Sequence, residues 1–268
     1  MIGLNRNLAP LSERAWKRVE QEACGVLRLH LSARRLVDFE GPLGWEHSAI
    51  DLGRLDTLDS GVPKLLLRRR VVRPLVELRL AFTLERQELE RIDRGASTID
   101  LGSLQDAARV FAAAEDQLLF EGNTEADIPG LLNCATQKPV PLPADPLRVP
   151  EAITQALEQL RLAGVAGPYT AALGPAAHAA LNSGTGEGGY PVVRHVEGLL
   201  DRPVVFAPSL AGGLVLSLRG GDFKLVCGRD VAIGYESHDD RRVTLFLEES
   251  FSAELNGPEA IVPLLPSA

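Results

Sequence analysis

Gly184-Thr185-Gly186-Glu187-Gly188-Gly189 comes nearest to a chemical motif in this chain, because Gly184, Gly186 and Gly189 stand in the G-x-G-x-x-G register of a dinucleotide-binding loop. Such a loop cradles a pyrophosphate only where a strand runs into it and a helix N-terminus leaves it. Residues 176–181 read instead as helix, so a flexible surface loop is expected, and a nucleotide-binding enzyme built on Gly184–Gly189 is the alternative. For nucleophilic catalysis, no serine lies in a G-x-S-x-G elbow and no cysteine has an evident base. His30, His47, His178, His195 and His238 fall at no metal-ligand spacing and are taken as structural. His238-Asp239-Asp240 could hold a cation, but a polar hairpin end accounts for it as well. Cys24, Cys134 and Cys227 are odd in number and irregular in spacing, which predicts buried free thiols rather than a disulfide framework or a zinc site. Arg68-Arg69-Arg70, with Arg73 close by, could take phosphate; the run is short, lacks interleaved aromatics and is expected to pair with acidic surface on a neighbouring copy. No catalytic residue, metal or cofactor is assigned.

The elements that would position these residues follow from periodicity. Ser12 to Leu31 predicts an amphipathic helix, with Ser12 as N-cap, Glu13 in the first turn, and Trp16, Val19, Ala23, Leu27 and Leu31 on one stripe. Two glycines and a proline break the pattern between Val37 and His47. From Ile50 the chain reads as extended, ending in the alternation of Val76, Leu78, Leu80 and Phe82. So long a charged excursion without its own core is an arm. Helices are expected over Leu84 to Asp93, from Ser103 to Gly122 with Leu104, Phe111, Leu118 and Leu119 inward, and over Pro150 to Ala163. Pro139, Pro141, Pro143 and Pro146 mark a crossing between subdomains. Tyr169 to Leu173 reads as strand, Pro175 to Leu181 and Pro191 to Leu200 as helix, and Val204 to Ala253 as several strands with Gly220-Gly221 as a hairpin turn. The class is α+β, with no internal repeat.

At 268 residues, 45% apolar and 24% charged, the chain can bury a sizeable core. Its net charge of -8, from 28 basic and 36 acidic residues, argues against nucleic acid as a partner. The opening Met1-Ile2-Gly3-Leu4-Asn5-Arg6 lacks the apolar core of a signal peptide and no stretch is long enough to span a bilayer, so no membrane partner and a cytoplasmic location are expected.

The ordered set of local segments carries more information than any catalytic motif. Asn7-Leu8-Ala9-Pro10-Leu11, Arg34-Arg35-Leu36-Val37-Asp38 and Glu40-Gly41-Pro42-Leu43-Gly44-Trp45-Glu46-His47 resemble the N-terminal third of the encapsulins. The resemblance continues through Phe82-Thr83-Leu84, Glu115-Asp116, Phe120-Glu121-Gly122 and Ala163-Gly164-Val165-Ala166-Gly167-Pro168-Tyr169. It then runs through Arg219-Gly220-Gly221-Asp222-Phe223 and Asp230-Val231-Ala232-Ile233-Gly234-Tyr235. It implies the fold of tailed-phage major capsid proteins: a peripheral domain, an axial domain and an extended loop. On that division, 1–48 opens the peripheral domain, 49–74 is the loop, 75–135 is peripheral, 136–222 axial, and 223–268 holds the returning peripheral strands and the tail.

The resemblance further implies a non-enzymatic shell subunit. Copies of it would assemble into an icosahedral compartment around a cargo enzyme, a dye-decolourising peroxidase or a ferritin-like iron oxidase held by a C-terminal targeting peptide. A bacteriocin-like or peptidase activity is a weaker alternative. Leu31, Arg34, Asp38, Asp230 and Ile233 would line the groove for that peptide, although Arg34 and Asp38 could equally form a structural i,i+4 pair. Gly184, Gly186, Glu187, Gly188, Gly189 and Tyr190 would form a pore loop at the fivefold vertex, with a ring of Glu187 carboxylates favouring cations. Some encapsulins bind flavin; Gln87 stands in the expected segment, without Trp or Tyr, so none is expected here. The tail, with Pro263 and Pro266, reads as less strand-like than the family's usual end.

Overall fold

The computed structural model describes residues 3–267. The Glu187 side chain, and the first two residues of the opening stretch considered above, lie outside what is described. The chain runs through α1 (Glu13–His30), β1 (Asp38–Glu40), β2 (Ala49–Leu58), β3 (Leu67–Pro74), β4 (Val76–Glu85), α2 (Arg86–Asp93) and α3 (Gly102–Glu121). The short β5 (Gly122–Asn123), β6 (Ile128–Pro129), α4 (Leu131–Cys134) and β7 (Val140–Leu142) lead to α5 (Val149–Leu162), β8 (Tyr169–Leu173), α6 (Pro175–Ser183) and α7 (Val192–Leu199). The last part holds β9 (Val205–Phe206), β10 (Gly213–Ser217), β11 (Phe223–His238), β12 (Arg242–Leu255) and β13 (Ile261–Pro266).

A four-stranded sheet, in the order β1-β11-β12-β4, is covered by α1 and α3. The Ser12 hydroxyl caps α1 by accepting the Ala15 N–H at 3.0 Å, and the 3.6-residue stripe Trp16, Val19, Ala23, Leu27 is buried as its spacing predicts. A five-stranded sheet, in the order β7-β13-β10-β8-β9, forms the second core with α5 and α7. The long strands β11 and β12 join the two: Phe223 and Leu225 pack in the second core, whereas Ile233 and Tyr235 pack in the first. One hairpin therefore fixes how the two cores sit.

The extended excursion is a two-stranded arm, β2 against β3, and its outer half exposes Leu55, Leu58, Val62, Leu65, Leu66 and Leu67 to solvent. Two of the three arginines at 68–70 pair within the arm. Arg69 meets Asp56, directly across from it in the antiparallel register, at 2.7 Å, and Arg70 reaches Asp51 diagonally, past the β2 register shift, at 3.4 Å.

Three further expectations are corrected. Gly220 and Gly221, at φ 85° and 82°, turn the chain from β10 in one sheet to β11 in the other, so they close no hairpin; that turn is Asp239–Arg241, between β11 and β12. The tail is a strand: β13 pairs antiparallel with β10 and parallel with β7, so 261–266 belongs to the second sheet and does not return to the first. Pro263 is accommodated because the ladder to β7 begins only at Leu264. Of the cysteines, Cys227 is buried and Cys134 half-buried, but Cys24 is exposed, one residue past the buried stripe of α1.

Candidate peptide-binding groove

Where α1 ends, the chain turns through Ser32 into a 3-10 turn, Ala33–Arg35, and that turn is held by two adjacent carboxylates of α3. Asp116 accepts the Ser32 N–H at 3.1 Å, the Ala33 N–H at 2.9 Å and the Ser32 hydroxyl, acting as a cap supplied from another helix. Glu115 accepts a bidentate pair from Arg34, Nε to Oε1 and Nη2 to Oε2, each at 2.8 Å. Arg34 reaches two more carboxylates: Nη2 donates to Glu249 Oε1 on β12 at 2.5 Å, and Nη1 to Asp230 Oδ1 on β11 at 2.7 Å. Glu115 and Glu249 have no exposed surface, whereas the Asp230 side chain is 46% exposed. Cys227 Sγ and carboxylate oxygens of Asp230 and Glu249 lie within 4.8 Å of one another, and the cation serving this cluster is Arg34.

These surroundings move the ionisation equilibria. Burial works to lower the Arg34 value, but the hydrogen bond and charge of Glu115, then Glu249 and Asp230, overcome it and raise it. Burial pushes Asp116 up to about 6 against the three hydrogen bonds that favour its anion. Burial likewise raises the Cys227 thiol, which the carboxylates of Glu249 and Asp230 reinforce.

Above this cluster lies a groove of about 710 Å³ between α1, the 3-10 turn and β11. Its apolar floor comes from Ala23, Leu27 and Leu31 on one side and Val231, Ile233 and Leu247 on the other. The β11–β12 register shifts between Cys227 and Arg229 and again between Arg229 and Ala232, so the irregularity spans Asp230 and brings it to the groove. Arg28 and Arg35 stand at the rim and make no ion pair among the described residues.

Four of the five residues expected in a groove, Leu31, Arg34, Asp230 and Ile233, thus come together. Asp38 does not line it. Its carboxylate accepts the Gly221 N–H at 2.6 Å and fastens the turn between the sheets, and Arg34, committed to Glu115, Glu249 and Asp230, makes no i,i+4 pair with it. Sequence reasoning gave no site role to Glu115 and Glu249, although each falls on an otherwise apolar face, Glu115 at helical spacing from Ala112 and Leu119 and Glu249 at strand spacing from Leu247 and Phe251. It also passed over Cys24 and Arg28, which α-helical spacing from Leu27 and Leu31 would have placed at the groove margin, and Arg35, which the 3-10 turn after α1 brings there.

The glycine-rich loop follows α6, a helix, as expected, so it lacks the strand-to-helix context of a dinucleotide site. Gly188 and Gly189 take φ of 73° and 77°, and the Gly186 N–H bonds the Tyr190 carbonyl at 2.8 Å. Gly184 serves differently: a Cβ there would lie 2.7 Å from Pro146 Cβ, so it is a packing residue rather than a flexible one. Tyr190 is exposed.

Comparison with known proteins agrees with this architecture. The family described as "Encapsulating protein for peroxidase" matches residues 1–252. The chain is 45% identical to the type 1 encapsulin shell protein of Rhodospirillum rubrum, over 98% of this chain and 96% of that one. Its fold matches the virus-like particle from Pyrococcus furiosus with a TM-score of 0.67 at 16% identity, covering 93% and 98% of the two chains. It also matches the capsid of Myoviridae phage XM1, with a TM-score of 0.52 at 12% identity, covering 85% and 90%.

Proposed function

The chain belongs to the encapsulin shell proteins, cage-forming subunits with a phage-capsid fold, and from that premise we propose that its shell retains a cargo enzyme by a peptide laid in the groove between α1 and β11. The observation that carries the proposal is the groove itself: an apolar floor long enough for several side chains of an extended segment, beside a rim holding Arg28 and Arg35. The floor would take the aliphatic residues of the peptide, and the two arginines its acidic side chains or terminal carboxylate. Arg34 sets the geometry of the floor from below, since its donors are taken up by Glu115, Glu249 and Asp230. The family description points to a peroxidase as cargo. The exposed leucines of the arm support self-association, because a neighbouring copy would remove them from water. The loop Gly184 to Tyr190 is proposed as the lining of a pore at a symmetry axis, with Gly188 and Gly189 giving it a low barrier to changing shape.

The experiment pairs cargo co-purification with negative-stain microscopy of shells carrying Ile233→Asp or Leu27→Asp. Closed shells that have lost their cargo are expected. Closed shells that keep it place the cargo site elsewhere.

A further inference from the structure

Three carboxylates surround a single guanidinium beneath the groove, and two of them, Glu115 and Glu249, are wholly buried. Arg34 Nη2 binds an oxygen of each, at 2.8 Å and 2.5 Å, so the two buried carboxyl groups share one nitrogen. Glu249 Oε2, fully buried, has no hydrogen-bond donor among the described residues. Two fully charged carboxylates facing each other out of water, with one cation between them, would leave a net negative charge that nothing buried offsets. A proton on Glu249 removes the excess charge.

We propose that Glu249 holds a proton at neutral pH, so that the floor of the groove rests on a carboxylic acid held beside Glu115 by Arg34, and that losing this proton at alkaline pH loosens the groove. The second half rests on the function proposed above; the first does not. The groups facing the pair are Arg34 from the 3-10 turn, Asp116 from α3, Asp230 and Cys227 from β11, with the Phe39 ring of β1 lying 5.3 Å from the guanidinium. Cys227, pushed up, stays neutral, and Asp116 is already served by three donors. Burial raises Glu249 well above 4.5, Glu115 raises it further, and Arg34 only partly offsets them. The native state therefore keeps a proton that the unfolded chain has lost, and stability falls as pH rises through the native value.

Infrared spectroscopy of assembled shells tests this through the carbonyl stretch of a protonated carboxylic acid. Wild-type shells should show that band at neutral pH and lose it on going alkaline, releasing about one proton per subunit. Glu249→Gln, whose amide keeps the shape and a donor, should lack the band and have a flatter alkaline stability profile. A wild-type shell without the band at neutral pH, which needs no variant to establish, overturns the proposal. So does a band that persists unchanged in Glu249→Gln. Cargo retention is read separately in Ile233→Asp at neutral pH, so failure of the peptide-groove reading leaves the band intact, and a missing band in wild type leaves the Ile233→Asp result to be judged on its own.

Discussion

Replacing Arg34 by Met keeps most of the side chain's length and removes its charge, which makes it the sharpest probe of the cluster under the groove. The substitution deletes four charge-assisted hydrogen bonds, two to Glu115 at 2.8 Å, one to Glu249 at 2.5 Å and one to Asp230 at 2.7 Å. Asp230 is half in solvent and recovers by hydration, but Glu115 and Glu249 have no exposed surface and cannot. Removing one partner of a buried ion pair costs about 3–5 kcal/mol. For a chain near this size that corresponds to a fall of roughly 6–20 °C in melting temperature. The sign with pH follows from linkage: Arg34 holds Glu249 down, so without it native Glu249 keeps its proton to higher pH than in wild type, and the deficit is largest at alkaline pH and shrinks on acidification. Calorimetry of shells at one heating rate, on either side of neutrality, measures both effects. The triple variant Arg34→Met, Glu115→Leu, Glu249→Leu should regain much of the loss, since it leaves no buried charge without a partner. A single variant that melts with wild type, or a triple variant no better than the single, would refute the electrostatic account.

Asp116→Asn replaces an anion that accepts three hydrogen bonds with an amide that has a single acceptor oxygen, so about 1–3 kcal/mol of stability should be lost at neutral pH by denaturant titration. Because burial raises wild-type Asp116 to about 6, from an ordinary 3.8, the native state binds the extra proton between those values. Wild-type stability relative to the Asn variant should accordingly fall as pH rises through that window, and a constant difference would show that Asp116 does not titrate there. For the glycine-rich loop, Glu187→Gln should reduce entry of small cations into closed shells relative to small anions; an unchanged ratio removes the charge-selective pore.

How far the sequence discloses these features depends on the range of the interactions behind them. α1, α3 and α5 are legible because their stripes and stops are local: Ser12 before α1, Gly122 at φ 77° after α3 and Gly164 at φ 74° after α5. The arm is legible for the converse reason, a long alternation with no apolar mass to fold onto. Gly220-Gly221 shows where local signals stop, since two glycines mark a turn without saying whether the next strand stays in the same sheet. β13 is hidden by its prolines, because Pro263 looks disqualifying until the partner strands, far away in the chain, leave room for it.

The groove separates on the same principle. Leu31 also falls on the apolar stripe of α1, but nothing within a few residues of Arg34 indicates that its partners are 81, 196 and 215 positions away. The family resemblance put Asp38 in the groove, whereas its side chain is bound to Gly221. What the sequence does contain is a mismatch: Glu115-Asp116 interrupts the buried face of α3 and Glu249 the apolar run of β12. Surface carboxylates require no partner, whereas carboxylates on a buried face need a donor, a cation or a proton. Asp116 is supplied with donors, Glu115 with a cation, and Glu249, after its share of Arg34, still has an oxygen with no donor. That remaining oxygen is the physical reason to look for a proton beneath the groove.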